Sequence, residues 1–323
     1  DNKSVVSRET KDYLMVVFFY FCPCMEILNE CPACGTNAKI EYLTCKDFGY
    51  SGSYFTINQC VSCKLLFTSP RPDASEIGAY YKSDDYVSHT NKSKGIINRL
   101  YPIVRNIAVN QKVRLIKKLI PKNSSVADLG AGNGYFVKAV LKAGFPIKGY
   151  EPSLEAIKLA KETFNTDLHP IETFYTTGNE EFNCITLWHV LEHIHTLQET
   201  LNHIKITLKK NGILIIAVPN PASKDAEYYK EFWAAYDVPR HLYHFTPEAL
   251  EKLIGSFNFT LLDKKPMLFD STYVSLLSER YKAKSSKAVQ IYNALYRGIH
   301  SNMHAAIYTG NYSSLIYIFR KNS

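Results

Sequence analysis

Residues 126–136 read VADLGAGNGYF: an apolar run, an acid, then glycine at every second position. An apolar run that ends in closely spaced glycines reads as a buried strand turning into a helix, with bare backbone left for a ligand. The dinucleotide fingerprint G-x-G-x-x-G is absent. Counted from Gly130 its third glycine falls on Tyr135, and counted from Gly132 it falls on Val137. The pattern present is D-x-G-x-G-x-G, with Asp128 where the strand should end. A carboxylate there repels a pyrophosphate. It suits a ligand with an ammonium, a sulfonium, a ribose and no phosphate. Glu151, about twenty residues on at the end of the next strand, is placed to accept from both ribose hydroxyls. Its plainer role is an acid at a helix N-terminus, favoured by the dipole.

Strand and helix patterns alternate on either side of this turn. Phe136, Val137, Val140 and Leu141 share one helical face and Gly144 ends that helix. A strand is expected at 147–152, a helix over SLEAIKLAKETF, and a strand at 182–190. The next helix carries Leu197, Leu201, Ile204 and Leu208 on one face and is expected to stop at Gly212, before a strand at 213–219. TLLDKKPML and SLIYIFR read as a final antiparallel pair, with helical stretches inserted at about 270–310. That order predicts an α/β fold with a mostly parallel sheet, binding its ligand at the carboxyl ends of the strands.

The chain has 323 residues, 46% of them hydrophobic, enough for one main domain and something smaller. Its net charge of +8 permits an anionic partner, but reads first as lysines spread over solvated faces. YLMVVFFYFCPC at 13–24 is too short to span a bilayer, and no later segment is apolar enough. Met25 looks like a natural start, so residues 1–24 read as a non-native or disordered extension, and the protein is expected to be cytoplasmic.

Cysteine spacing is the second strong signal. Cys31 and Cys34 form CPAC, and Cys60 and Cys63 form CVSC. Two C-x₂-C turns complete a tetrahedral, closed and therefore structural Zn²⁺ site, which folds a segment too small to hold itself together. Residues 25–70 thus read as a zinc ribbon, 71–110 as a linker with helices, and 111–323 as the main domain. Cys45 lacks a partner turn, and Cys184 lies in an apolar run and reads as core.

With VADLGAGNGYF, GYEPS and FNCITLWHVLEHI in this order, the chain resembles the class I SAM-dependent methyltransferases, most closely the group containing the ubiquinone-biosynthesis O-methyltransferases. CPACGT, the second CxxC before LLFTSPRP, and WAAYDVPRHLYHFTPEAL further resemble a bacterial methyltransferase subfamily with an N-terminal zinc ribbon, in which Lys64 takes a usual glycine position. The resemblance implies a Rossmann-like seven-stranded sheet and S-adenosyl-L-methionine (SAM) as cofactor. It implies a cofactor loop of Asp128, Gly130, Gly132 and Gly134, with Glu151 on the ribose. Ile171 and Glu172 would edge the adenine, and Leu187, Trp188 and His189 would line the methionine moiety; Trp188 reads equally as core packing.

The acceptor is less marked. His189, Glu192 and His193 form H-x-x-E-H, at the rim of the expected site. This resembles the E-x-x-E-H metal site of the quinone O-methyltransferases with His189 replacing the first acid, so Mg²⁺ is an alternative to a general base. Asp237, Arg240, His241, Tyr243 and His244 fall in the connection after the fifth strand and are expected to form a lid. His193 or His241 is the expected base, and each histidine has a structural alternative. The expected activity is methyl transfer to a small-molecule acceptor, at oxygen or carbon. A zinc-ribbon RNA methyltransferase is the alternative, although the N/D-P-P-Y/F signature of base amino-group methylation is missing.

Overall fold

The structure is a computed structural model that describes residues 25–81, 96–282 and 285–323. The extension expected at 1–24 and part of the linker lie outside the described residues.

The alternating segments form the expected sheet. Val126–Leu129 (β6), Ile147–Glu151 (β7), Leu168–Pro170 (β8), Phe182–Trp188 (β9) and Leu208–Pro219 (β10) run parallel. Ser314–Lys321 (β13) lies antiparallel between β10 and Phe259–Pro266 (β12). The order β12-β13-β10-β9-β6-β7-β8 reverses direction at β6, which opens a crevice at the carboxyl ends of β6 and β9. All four residues of β6 are buried, as a strand covered on both faces requires.

Helices cover both faces: Tyr135–Lys142 (α2), Leu154–Phe164 (α3), Leu197–Thr207 (α4), Lys224–Tyr229 (α5) and Pro247–Ser256 (α6). Ser153 caps α3 and Thr246 caps α6 through their side-chain oxygens, with Pro247 in the first turn of α6. α4 stops five residues before Gly212, earlier than expected. Leu208 already pairs with Phe182, and a bulge separates that pair from Ile213 and Cys184, so β10 takes over the KKNG stretch.

Ile96–Leu119 (α1) is one continuous helix, running through the boundary expected near 110. Its Val113, Leu115 and Ile116 pack beneath Val126, Phe136 and Ile215, which joins it to the main domain.

The N-terminal segment folds as expected into short antiparallel strands: Lys39–Lys46 (β2), Tyr54–Cys60 (β3) and Leu66–Thr68 (β4). It does not stand alone. β4 pairs with Tyr243–His244 (β11), and Met25–Glu26 (β1) pairs with Arg71–Pro72 (β5). Cys31, Cys60 and Cys63 share one core with Leu201 of α4 and Leu253 of α6. Between β12 and β13 the insertion forms Asp270–Lys282 (α7) and Lys287–His304 (α8). Among the described residues, no helix is long and apolar enough to cross a membrane.

Candidate active site

The glycine turn after β6 adopts left-handed backbone at Gly130 (φ 68°), Gly132 (φ 54°) and Gly134 (φ 74°), where any side chain would be strained. A Cβ at Gly130 would also meet Val190 Cγ2 at 2.4 Å, and one at Gly134 would press on Ala160 at 3.2 Å. Gly132 has open space beside it. The first and third glycines therefore serve packing, and the second leaves room.

A cavity of about 250 Å³ opens on this turn. Asp128, Gly130, Ala131, Asn133 and Trp188 line it on the sheet side, and Arg105, Val109 and Lys112 of α1 close the opposite side. Asp128 is buried and accepts from Thr186 Oγ1 at 2.6 Å. Burial pushes its pKa up to about 7, against that hydrogen bond and the charge of Lys112. Lys112 Nζ sits 4.4 Å from the Trp188 ring centroid, and Trp188 Nε1 is buried with no partner among the described residues. A carboxylate able to meet a cation, an orphaned indole N–H and bare backbone fit SAM.

The other expected cofactor residues are placed differently. Glu151 does not line the cavity: its carboxylate accepts from Gly132 N at 2.7 Å and Ser153 N at 3.0 Å, which fixes the glycine turn. Burial raises its pKa, against those two hydrogen bonds. Leu187 points into the core with Leu129 and Leu214, not along the cavity, because strand side chains alternate and Trp188 takes the other face. Ile171 packs against the core, and Glu172 is exposed on a short 3-10 helix, Ile171–Thr176. Arg105, Lys112 and Tyr135 were not legible as site residues, since α1 showed only helical spacing.

His189 follows β9 with φ at 57°, left-handed for a non-glycine residue. Its Nδ1 lies 3.4 Å from Glu192 and its Nε2 3.3 Å from Asp270, the first residue of α7. Burial opposes its charge, but Asp270 and Glu192 outweigh it and raise its pKa to about 9. His189 is thus held between two carboxylates and is not among the residues that converge with His193.

The trio that does converge is Glu192, His193 and His241, with one ligand-type atom of each within 4.8 Å of the others. Two imidazoles with one carboxylate is not the oxygen-rich set that Mg²⁺ prefers. The His193 and His241 rings meet edge-on with centroids 4.6 Å apart. His193 Nδ1 is 2.9 Å from both Arg240 O and Tyr81 Oη, and His241 Nδ1 is 2.8 Å from Ala235 O. A carbonyl only accepts, so both Nδ1 atoms carry a hydrogen. Burial, then the neighbouring His241, push His193 down to about 4. Glu192 is fully buried, and neither carboxylate oxygen has a hydrogen-bond partner among the described residues. Burial raises its pKa, but His189 and then the charges of His193 and His241 hold it below the usual range.

The expected lid is a packed wall. Arg240 is clamped by Asp237 and reaches Tyr80 O at 3.2 Å and Asp47 at 3.5 Å. A Cβ at Gly49 would collide with the Arg240 guanidinium at 2.7 Å, so the turn after β2 closes directly on it. His244 lies 3.1 Å from Thr68 Oγ1 and Tyr243 Oη donates to His195 O at 3.2 Å. Of this stretch His241 brings its ring to the Glu192 cluster and Arg240 its carbonyl.

The four expected zinc ligands also converge. Cys31 and Cys63 sulfurs lie 3.5 Å apart, as do those of Cys34 and Cys60, and all four sit within 4.8 Å. That spacing fits one tetrahedral ion. Cys45 is buried apart from them beside Trp233 and Tyr236, and Cys184 is core.

A methyltransferase-domain family profile matches residues 105–264. The chain is 26% identical over 208 residues to a ubiquinone biosynthesis O-methyltransferase of Pelagibacter ubique, covering 57% of this chain and 85% of that one. It is 24% identical over 243 residues to the protein of the same name from Rhodopseudomonas palustris, covering 68% and 92%. It is also similar to a SAM-dependent methyltransferase structure from Archaeoglobus fulgidus, with a TM-score of 0.46 and 19% identity over 67% of this chain and 94% of that one. The methyltransferase-domain profile and the two O-methyltransferase relatives, with the sheet order and the D-x-G-x-G-x-G turn, identify the chain as a class I SAM-dependent methyltransferase.

Proposed function

We propose that this enzyme methylates a hydroxyl or an acidic carbon of a small molecule, with His193 or His241 as general base. One observation carries the reading: both rings hold their Nδ1 hydrogens on backbone carbonyls, which leaves Nε2 as the nitrogen to take a proton, and both converge on the buried Glu192. SAM, when bound, supplies an electrophilic methyl group on a sulfonium. The residues of the chain do the rest. Asp128 offsets positive charge in the cavity, and Glu151 keeps the glycine turn in shape. Trp188 and Lys112 wall the cavity toward His189. Glu192 stabilises the imidazolium that forms when either base takes the acceptor's proton. The sulfonium is already a good leaving group, so orientation and proton removal are the protein's main contributions.

The relatives named as O-methyltransferases of ubiquinone biosynthesis support a hydroxyl acceptor. Four convergent thiols support one structural Zn²⁺ in the ribbon, and six cysteines free of disulfides among the described residues agree with a reducing, cytoplasmic setting. The test is methyl-labelled SAM offered with a small-molecule extract and, separately, with total RNA. Label is expected in a low-mass product that His193→Gln fails to form. Label entering RNA instead overturns the reading in favour of the zinc-ribbon RNA methyltransferase.

A further inference from the structure

A surface helix normally turns its charged side to water. α8 does the reverse. Ile291, Leu295, Ile299, Met303 and Ile307 follow one another at four-residue spacing, through the helix and the turn beyond it, each between 45% and 64% exposed. On the adjoining row Tyr292, Tyr296 and Tyr308 are between 52% and 73% exposed. His300 and His304 complete that second row, so an aliphatic row and an aromatic row run side by side along the helix as one stripe. Leu268 and Phe269, also exposed, continue it: Leu268 O accepts from Asn302 Nδ2 at 2.9 Å.

Charge decides what covers the stripe. No Asp or Glu follows Glu279, whereas Arg280 and Lys282 precede α8, Lys287 begins it and Arg297 lies within it. Arg297 lies against the Tyr228 ring at 3.6 Å and Lys282 against the same ring at 4.9 Å, so these cations sit together beside the stripe. A second copy meeting this face about a two-fold axis would bring cations against cations, with no acid in the segment to pair them. A helix with aromatic and aliphatic side chains outward and basic flanks matches instead the interface of an anionic bilayer.

We propose that α8, with Leu268 and Phe269, docks on an anionic lipid surface, lying in its plane. The inference is independent of the acceptor's identity. The test is flotation of the full chain with phosphatidylcholine vesicles with and without phosphatidylglycerol, paired with sedimentation analysis without lipid. The protein is expected to float with the anionic vesicles and to be released as salt is raised. Leu295→Glu/Ile299→Glu is expected to reduce the bound fraction at least about tenfold while SAM affinity stays unchanged, showing that the fold is intact. Lys282→Glu/Lys287→Glu is expected to weaken binding and flatten its salt dependence. Wild-type protein that stays unbound, or that binds neutral and anionic vesicles alike, overturns the proposal. So does a lipid-free dimer that Leu295→Glu/Ile299→Glu converts to monomer.

Discussion

The cofactor wall and the acceptor wall meet at Trp188 and His189, yet they are built on opposite plans. The cofactor wall draws on the turn after β6, braced by the end of β7, and on the end of β9, three neighbouring strands, with α1 closing the other side. Its key contacts are backbone ones, such as Glu151 holding Gly132 N. The acceptor wall gathers side chains from four distant places: Tyr81, the 189–193 turn, His241 and Asp270. The first is a property of the sheet. The second depends on the ribbon and the insertion being docked, since Asp47 and Gly49 brace Arg240 and α7 supplies Asp270.

The largest expected effect strikes the acceptor wall from the ribbon. Zinc thiolate coordination is worth on the order of ten kcal/mol in small domains. Cys60→Ser should lose the metal, by elemental analysis, and raise protease sensitivity within 25–72. If the two walls are as separate as they look, turnover falls steeply while calorimetric SAM affinity changes little. Full zinc occupancy in the variant would remove Cys60 from the ligand set. Loss of SAM affinity equal to the loss of turnover would break the comparison itself.

Next come the bases. A general base contributes about 10²–10⁴-fold, so His193→Gln or His241→Gln should lower kcat by that range with SAM affinity kept. If both variants retain full turnover on the true acceptor, neither ring is the base. The same turn predicts a two-sided pH response. His193 binds a proton near pH 6.5 when unfolded and only near 4 when folded, so its side of the wall loses stability as pH falls between those values. His189 is raised to about 9, so its contribution is complete below about 6.5 and is lost as pH rises through 9. Denaturant melts at stepped pH should flatten on the acid side in His193→Gln, and on the alkaline side in His189→Gln.

The difference between the walls also explains what was legible in the sequence. Asp128 and the glycines declare themselves because a tight strand-to-helix turn leaves few residue choices, and CxxC pairs declare themselves because metal geometry does. Glu151 was found by its offset, but its hold on the turn was not, since a carboxylate's direction is set by which amides lie free beside it. Asp270 and Tyr81 carried no signal. Nothing in ASEIGAYY or FDSTYV marks contacts made across 112 residues of chain, from Tyr81 to His193, and 81, from His189 to Asp270. The H-x-x-E-H spacing did not show that His189, on left-handed backbone, pairs with Asp270.

A smaller effect is expected on the cofactor side. Glu151→Ala removes the acceptor for two backbone amides, Gly132 N and Ser153 N, at the turn that must present bare backbone. Leaving such donors unpaired costs about 1–3 kcal/mol. SAM affinity measured by calorimetry should fall by that amount, with kcat at saturating SAM nearly unchanged. Glu151→Gln should recover part of it, because an amide oxygen can still accept from one of the two. A variant that binds SAM normally would show that the turn keeps its shape through the three glycines alone.

The smallest effect tests the ribbon by itself. The two knuckles are built alike, and the residue after the second cysteine of each takes left-handed backbone: Gly35 at φ 72° and Lys64 at φ 63°. Glycine accepts that conformation freely, whereas a residue with a Cβ is strained by about 1–2 kcal/mol. Part of that gain is offset by the extra backbone freedom glycine has in the unfolded chain. Lys64→Gly should therefore stabilise the ribbon by about 1 kcal/mol, seen as slower proteolysis of 25–72 or slower zinc loss to a chelator. The reverse change, Gly35→Lys, should destabilise it by a similar amount. A Cβ at Gly35 meets nothing within 4 Å, so the cost there is conformational and not steric. A gain from Lys64→Gly with a loss from Gly35→Lys would tie the effect to backbone strain; the reversed pair of signs would tie it to the lysine's charge beside the thiolates. Neither change should touch SAM affinity, and a shift in turnover would show that even this far knuckle reaches the acceptor wall.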